Sequence, residues 1–198
     1  MRWRWLLVLP VAVALVLVAT ASRLQVFWWP EQLHDVTRGT QGEPLEISDE
    51  WEDENGDARR RDLTVTLLEV RPATQFVGFS GPEPLEPVAG SAVWEVRLAF
   101  EVEPDVPLGG CQVSLVDTRE RETTATSTSL GDASLSGPDC EPEGTSGPQY
   151  DGSRIEGDLP RPPSYEVSVL VVTDDEAEPD LVRLWWEAPD VVELSVSD

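Results

Sequence analysis

Ala92-Val-Trp-Glu-Val-Arg-Leu-Ala-Phe-Glu-Val-Glu103 alternates more strictly than any other part of the chain. Trp94, Val96, Leu98, Phe100 and Val102 fall on one side, and Glu95, Arg97 and Glu101 on the other. That period of two is what a half-buried antiparallel strand requires. A slip of one residue would turn every large apolar side chain into water, so the segment is expected at the centre of a core.

The flanking sequence keeps to the same language. Upstream, Leu63-Thr-Val-Thr-Leu-Leu-Glu-Val70 alternates Leu63, Val65 and Leu67 with Thr64 and Thr66 until Pro72 ends it. Residues 73–90 carry Pro82, Pro84 and Pro87 and are expected to form a loop with a short strand around Phe76 to Phe79. Downstream comes Cys111-Gln-Val-Ser-Leu-Val-Asp117, with Cys111, Val113 and Leu115 inward. The threonine- and serine-rich stretch Thr118 to Leu130 has β-propensity but little hydrophobicity, which predicts an edge strand. Residues 131–163 are a long Gly/Pro/Ser/acid excursion. Strands resume at Tyr165–Thr173, Leu181–Trp186 and Val191–Val196. No amphipathic helix survives the prolines and β-branched residues. Short strands separated by Gly/Pro turns and never alternating with helices predict an all-β protein, an antiparallel β-sandwich of Greek-key type.

The order of these pieces resembles a known one. A strand at Leu63–Val70 precedes a proline/glycine loop, the long strand Ala92–Val102, and an aspartate-ended strand within Val113-Ser-Leu-Val-Asp-Thr-Arg-Glu-Arg121. A proline-flanked strand at Pro163–Val172 and the terminal Pro179-Asp-Leu-Val-Arg-Leu-Trp-Trp186 complete it. This resembles the telokin-like, immunoglobulin-type domain of small anchored or lipidated extracytoplasmic proteins of bacteria, over about residues 63–196. Thr118-Arg119 stands where that family usually has a glycine turn, and Pro162-Pro163-Ser164 where a proline-glycine is expected. The resemblance implies an immunoglobulin-like fold and brings no catalytic residues with it.

The N-terminus fixes the expected compartment. Arg2 and Arg4 precede Leu6–Ala21, an uncharged run, and no acidic residue occurs before Glu31. This is the layout of an export signal or an anchor, with the N-terminus cytoplasmic and the rest extracytoplasmic. Ala19-Thr-Ala21 before Ser22 fits a cleavage site, which would release a secreted form. Trp3 and Trp5 at one end and Phe27, Trp28 and Trp29 at the other fit the two interfaces of a single transmembrane helix. Trp5 and Trp28 would stand about 35 Å apart along a helix. Arg23 can snorkel to the headgroups. The aromatic pairing favours the retained anchor. The expected division is residues 1–29 signal anchor, 30–62 juxtamembrane stalk and charged hairpin, and 63–198 the β-sandwich with its long loop 131–163.

Within the second segment, Asp49, Glu50, Glu52, Asp53 and Glu54 meet Arg59-Arg60-Arg61 across Asn55-Gly56. Asn-Gly accepts positive φ at both turn positions, so a hairpin is predicted there, with Trp51 as its apolar pin. His34, the single histidine, is expected to be an incidental exposed side chain.

Charge narrows the partners. Fourteen basic residues, all arginine, face 38 acidic ones, a formal net charge of −24 at pH 7. Such a field repels nucleic acid and anionic headgroups and favours cations, basic proteins and solubility. The two cysteines, Cys111 and Cys140, are expected to form a disulfide in an oxidising compartment, worth about 3–4 kcal/mol on the chain-entropy model.

Catalytic chemistry finds no footing. There is no Gly-x-Ser-x-Gly, the nearest approach being Gly78-Phe-Ser80-Gly81, and no phosphate loop or zinc spacing. No catalytic, cofactor or metal residues are assigned. Asp53-Glu-Asn-Gly-Asp57 and Asp174-Asp-Glu176 offer hard oxygens to calcium but lack the EF-hand spacing. Trp185-Trp186 on a strand sends one ring to each face, one of them a possible ligand platform. The expected function is therefore non-enzymatic: a membrane-anchored extracytoplasmic sandwich acting by contact with an envelope protein. A domain binding a small ligand, a glycan or calcium is the alternative.

Overall fold

The computed structural model describes residues 10, 13, 20, 21, 23–52, 56–78, 81–126, 128–130, 133–135, 140–142, 144, 145, 147–149, 153–157 and 159–197. Short helical turns at Leu24–Trp28 and Trp29–Glu31 lead into thirteen strands among the described residues. These are β1 Asp35–Thr40, β2 Leu45–Glu52, β3 Ala58–Pro72, β4 Gln75–Gly78, β5 Gly81–Pro84, β6 Ser91–Val102, β7 Gln112–Asp117, β8 Glu122–Thr124, β9 Thr128–Leu130, β10 Ala133–Leu135, β11 Ser164–Asp174, β12 Pro179–Trp185 and β13 Asp190–Ser195.

Two sheets face each other. One has the order β11-β6-β3-β2 and the other β1-β13-β12-β7-β8. Antiparallel pairing holds throughout except at β1, which runs parallel to β13 from Asp35↔Asp190 to Thr40↔Ser195. The strict alternation of β6 does what its pattern requires. Val96, Leu98 and Phe100 are fully buried, against Val65 and Leu67 of β3, Val113 and Leu115 of β7, and Val182, Leu184 and Leu194 of β12 and β13. A bulge between Leu67 and Glu69 resets the alternation of β3, so that Val70 rather than Glu69 returns to the core side opposite Val96.

The β4–β5 ribbon lies over a small second cluster on the other side of the four-stranded sheet. Phe76 and Leu85 pack there with Val93, Leu170 and Val172. The short strand expected near Phe76 is β4. Thr118–Leu130 divides into β8, which edges the five-stranded sheet, and β9, which pairs separately with β10.

The expected stalk is corrected. Residues 35–52 and 56–62 belong to the sandwich, because β1 seals the edge of one sheet beside β13 and β2 edges the other beside β3. The charged hairpin does form, pairing Glu52 with Ala58, although residues 53–55 of its turn lie outside the described residues. Trp51 is buried, as its role of pin requires. Of the expected transmembrane helix, residues 1–29, only 10, 13, 20, 21 and 23–29 are described. Among those described, no helix is long and apolar enough to cross a membrane.

Candidate functional site

The two ends of the sandwich differ in chemistry. At one end β12 finishes in Trp185, and Trp186 follows at the start of the turn to β13. Trp186 is inward, half-buried against the core, and its Nε1 donates to the carbonyl of Leu108 at 2.9 Å. Arg61 of β3 lies over its ring, 4.6 Å from the centroid, a cation–π distance. Register explains how an arginine comes to be there. On β3, Arg61 shares the inward side with Leu63, Val65 and Leu67, and on β2 Asp49 shares it with Ile47 and Trp51. Asp49 and Arg61 are directly opposite, and Nη1 of Arg61 donates to Oδ2 of Asp49 at 2.6 Å. Nε of Arg61 donates to the carbonyl of Pro107 at 3.1 Å. Burial raises the pKa of Asp49 above its ordinary value, with Arg61 working against that and Asp190 and Glu187 adding to it.

These groups border a cleft of about 30 Å³ lined by Thr37, Ile47, Asp49, Trp185, Trp186 and Asp190. That holds a water or two, whereas ligand pockets run to about 300–1,000 Å³. Partial burial of the carboxyl and the nearby Asp35 raise the pKa of Asp190, although the residue as a whole is exposed. The structure thus brings the tryptophan pair together with two acids, around a space too small for a sugar ring. Trp186 serves the core, which leaves Trp185, half-buried, as the part of the platform able to meet a ligand.

A second buried arginine closes the same end. Nη1 of Arg161 lies 3.3 Å from Oε1 of Glu141, and its Nη2 donates to the carbonyls of Glu103 and Val106. The N–H of Leu108 also donates to Glu141. Gly147 has φ +92°, and a Cβ there would stand 3.0 Å from the Arg161 guanidinium, so the close approach needs glycine. Burial lowers the pKa of Arg161, while Tyr165 and Glu141 oppose it. The hydroxyl of Tyr165 donates to the carbonyl of Cys140 at 2.7 Å, and the Cys111–Cys140 disulfide, with Cα atoms 6.0 Å apart, joins the excursion to the sheet.

At the far end Asp117 organises the turn after β7. Its Oδ1 accepts from the N–H groups of Arg119 and Arg121, each at 2.9 Å, and Oδ2 accepts from Nε of Arg121 at 2.7 Å. Burial works against the ionised form, but these hydrogen bonds outweigh it and hold the Asp117 carboxyl below its ordinary range. Glu120 takes φ 63° here, the left-handed conformation for which a glycine would be usual. The acidic turn considered for calcium is engaged instead. Asp174 pairs with Arg121, and Glu176 with Arg119 at 2.8 Å. Among the described residues no three His, Cys, Asp or Glu side chains are grouped to hold a metal ion. Most of the other calcium candidate, residues 53–55, and Ser80 of the serine motif lie outside the described residues.

Between the ends, both sheets carry ion-pair rows. Arg38, Glu193, Arg183 and Glu122 link across β1, β13, β12 and β8. Arg71, Glu95, Glu69, Arg97 and Glu166 do the same across β3, β6 and β11. Every arginine from Arg38 onward has a carboxylate partner within the chain. From Arg38 onward the charge left over is therefore acidic. His34 is half-buried rather than incidental: the carbonyl of Gln32 accepts from its Nδ1 at 2.8 Å, and its ring packs on Trp29.

Sequence reasoning found the tryptophan pair and the disulfide. It placed Arg61 in a hairpin facing the acids from Asp49 to Glu54 but did not foresee its burial beside Trp186, and it passed over Arg161. Arg61 had a signal, since it continues the apolar register of Leu63 and Val65. Arg161, set between Pro160 and Pro162 in the excursion, had none.

The two facing sheets define a β-sandwich. Two solved structures are similar to the chain. A secreted protein of Mycobacterium tuberculosis, MPT63, is 13% identical, with 80% of this chain and 96% of that chain covered at a TM-score of 0.43. An uncharacterized β-sandwich protein of Clostridium difficile 630 is 11% identical, with 83% and 96% covered at a TM-score of 0.42. No protein-family model matches the chain, and no curated protein matches it.

Proposed function

We propose that this protein is a non-enzymatic, immunoglobulin-like contact module, held at the outer face of a membrane by Leu6–Ala21, that binds an envelope protein through a sheet edge. The supporting observation is β11. It pairs with β6 along its whole length, and no strand among the described residues pairs with its other edge. The N–H of Val102 donates to the carbonyl of Pro163, so hydrogen-bonded pairs with β6 recur at Tyr165, Val167, Val169 and Val171. The backbone groups of Glu166, Ser168, Leu170 and Val172 therefore face outward, a template for an added strand. The cleft beside Trp186 is too small to take a sugar ring, so it lends no support of its own to the alternative of a ligand or glycan domain.

A proline at Ser168 removes one outward donor while leaving the β6 pairing intact, and edge strands accept proline. Ser168→Pro is expected to keep its melting transition and lose a crosslinked envelope partner that the unsubstituted chain captures in membranes. Equal capture by both chains would refute edge pairing at β11.

A further inference from the structure

Val26, Phe27, Trp28 and Trp29 are the one stretch of the described residues where large apolar side chains stand exposed in succession, at 60, 73, 53 and 51%. The other exposed apolar residues stand singly, which is ordinary for a protein surface. Four in a row need an occupant.

The stretch is fixed to one end of the sandwich. The N–H of Gln32 donates to the carbonyl of Trp29 at 3.1 Å, and the Trp29 ring packs on His34 with centroids 4.5 Å apart. The N–H groups of His34 and Asp35 in turn both donate to the carbonyl of Pro189, at 2.9 and 3.0 Å. Pro189 lies in the β12–β13 turn, at the end of the molecule that holds Arg61 and Trp186.

Chain length then limits what can cover these rings. If Leu6–Ala21 lies in the bilayer, Val26 follows Ala21 by a span of at most about 17 Å extended, or about 8 Å as helix. Tryptophan and phenylalanine at that depth are at the headgroup level, where amphipathic rings are favoured. Charge agrees with this. No acidic residue precedes Glu31, in a chain with 38 of them, and the one charge between Ala21 and Glu31 is Arg23, which suits lipid phosphates.

Resting on the anchored reading above, we infer that Val26–Trp29 is an interfacial collar that seats the Arg61 end of the sandwich against the bilayer. The Asp117 end then points away from the membrane. β6 spans most of the distance between the two ends, about 40 Å at strand rise.

Full-length protein reconstituted in phosphatidylcholine vesicles tests this. The vesicles carry bromines at the shallow acyl carbons in one set and a headgroup acceptor dye in another. The chain is expected to float with the vesicles. Bromine quenching of tryptophan emission is expected to fall by up to about twofold in Trp28→Phe/Trp29→Phe, because two of the four interfacial tryptophans, Trp3, Trp5, Trp28 and Trp29, are removed. Energy transfer to the headgroup dye is expected to be at least twofold stronger from a label at Glu187→Cys than from one at Glu120→Cys. A chain that floats but shows unchanged quenching, or transfer equal or stronger from position 120, overturns the collar and leaves the anchor standing. A chain that fails to float overturns the anchor and the collar together.

Discussion

Arg61 stands where the alternation of β3 calls for an apolar side chain, and it is stable there because Asp49 occupies the matching position on β2. Removing one member of such a pair strands the other charge in the core, whereas replacing both with apolar groups of similar size is often neutral. Arg61→Ala is expected to lower unfolding free energy by about 3–5 kcal/mol. In urea titrations, Arg61→Met/Asp49→Leu should recover most of that loss, and failure to recover would mean the pair does more than neutralise itself. Asp117 behaves oppositely in pH. Its folded-state pKa is depressed, so the stability it contributes is present above the unfolded value of about 3.9 and is lost as pH falls through the folded one. Asp117→Asn should therefore lower the melting temperature at neutral pH, with the difference from the unsubstituted chain closing in strong acid. A difference that persists unchanged at low pH would assign the effect to packing instead.

At the scale of elements, β1 is held by shape as much as by hydrogen bonds. A Cβ at Gly39 would stand 3.0 Å from Cδ2 of Leu194 and 3.1 Å from Cδ2 of Leu45, so a side chain there crowds both sheets. Gly39→Val is expected to cost about 1–3 kcal/mol as overpacking. Amide exchange should show protection lost first along Asp35–Thr40, and uniform loss across all strands would point elsewhere. The same strand shows where the sequence stopped being readable. β3, β6, β7, β11, β12 and β13 announced themselves because their partners impose a clean alternation or apolar run. β1, Asp-Val-Thr-Arg-Gly-Thr, has no such pattern, and its partner is parallel and far away in the chain, so no turn could flag the pairing. β2 was half visible: the Asn55-Gly56 signal marked its second half as a hairpin arm, but the charge of Asp49 interrupts the alternation of Leu45, Ile47 and Trp51, so the strand was assigned to the stalk. The tryptophan pair was visible as a pair, yet which ring the core would take depended on Leu108 and Arg61, both distant in sequence.

For the molecule as a whole, the arithmetic of charge sets behaviour in salt. The arginines from Arg38 onward are bound to carboxylates inside the chain, so the surplus acids repel one another with nothing local to offset them. Added salt screens that repulsion over about 10 Å at 0.1 M. The melting temperature is expected to rise as sodium chloride goes from about 0.01 M to 0.3 M. A fall would mean the ion-pair rows matter more than the excess.

β1 has a single neighbour in its sheet, and that neighbour is the last strand of the molecule. If the chain crosses a translocation pore with the residues just after the anchor leading, the first strand emerges with no companion and has to wait until nearly all the rest has crossed. Closure of that sheet is then a terminal event, and any chaperone on the far side would meet a half-built sandwich with one flank still open.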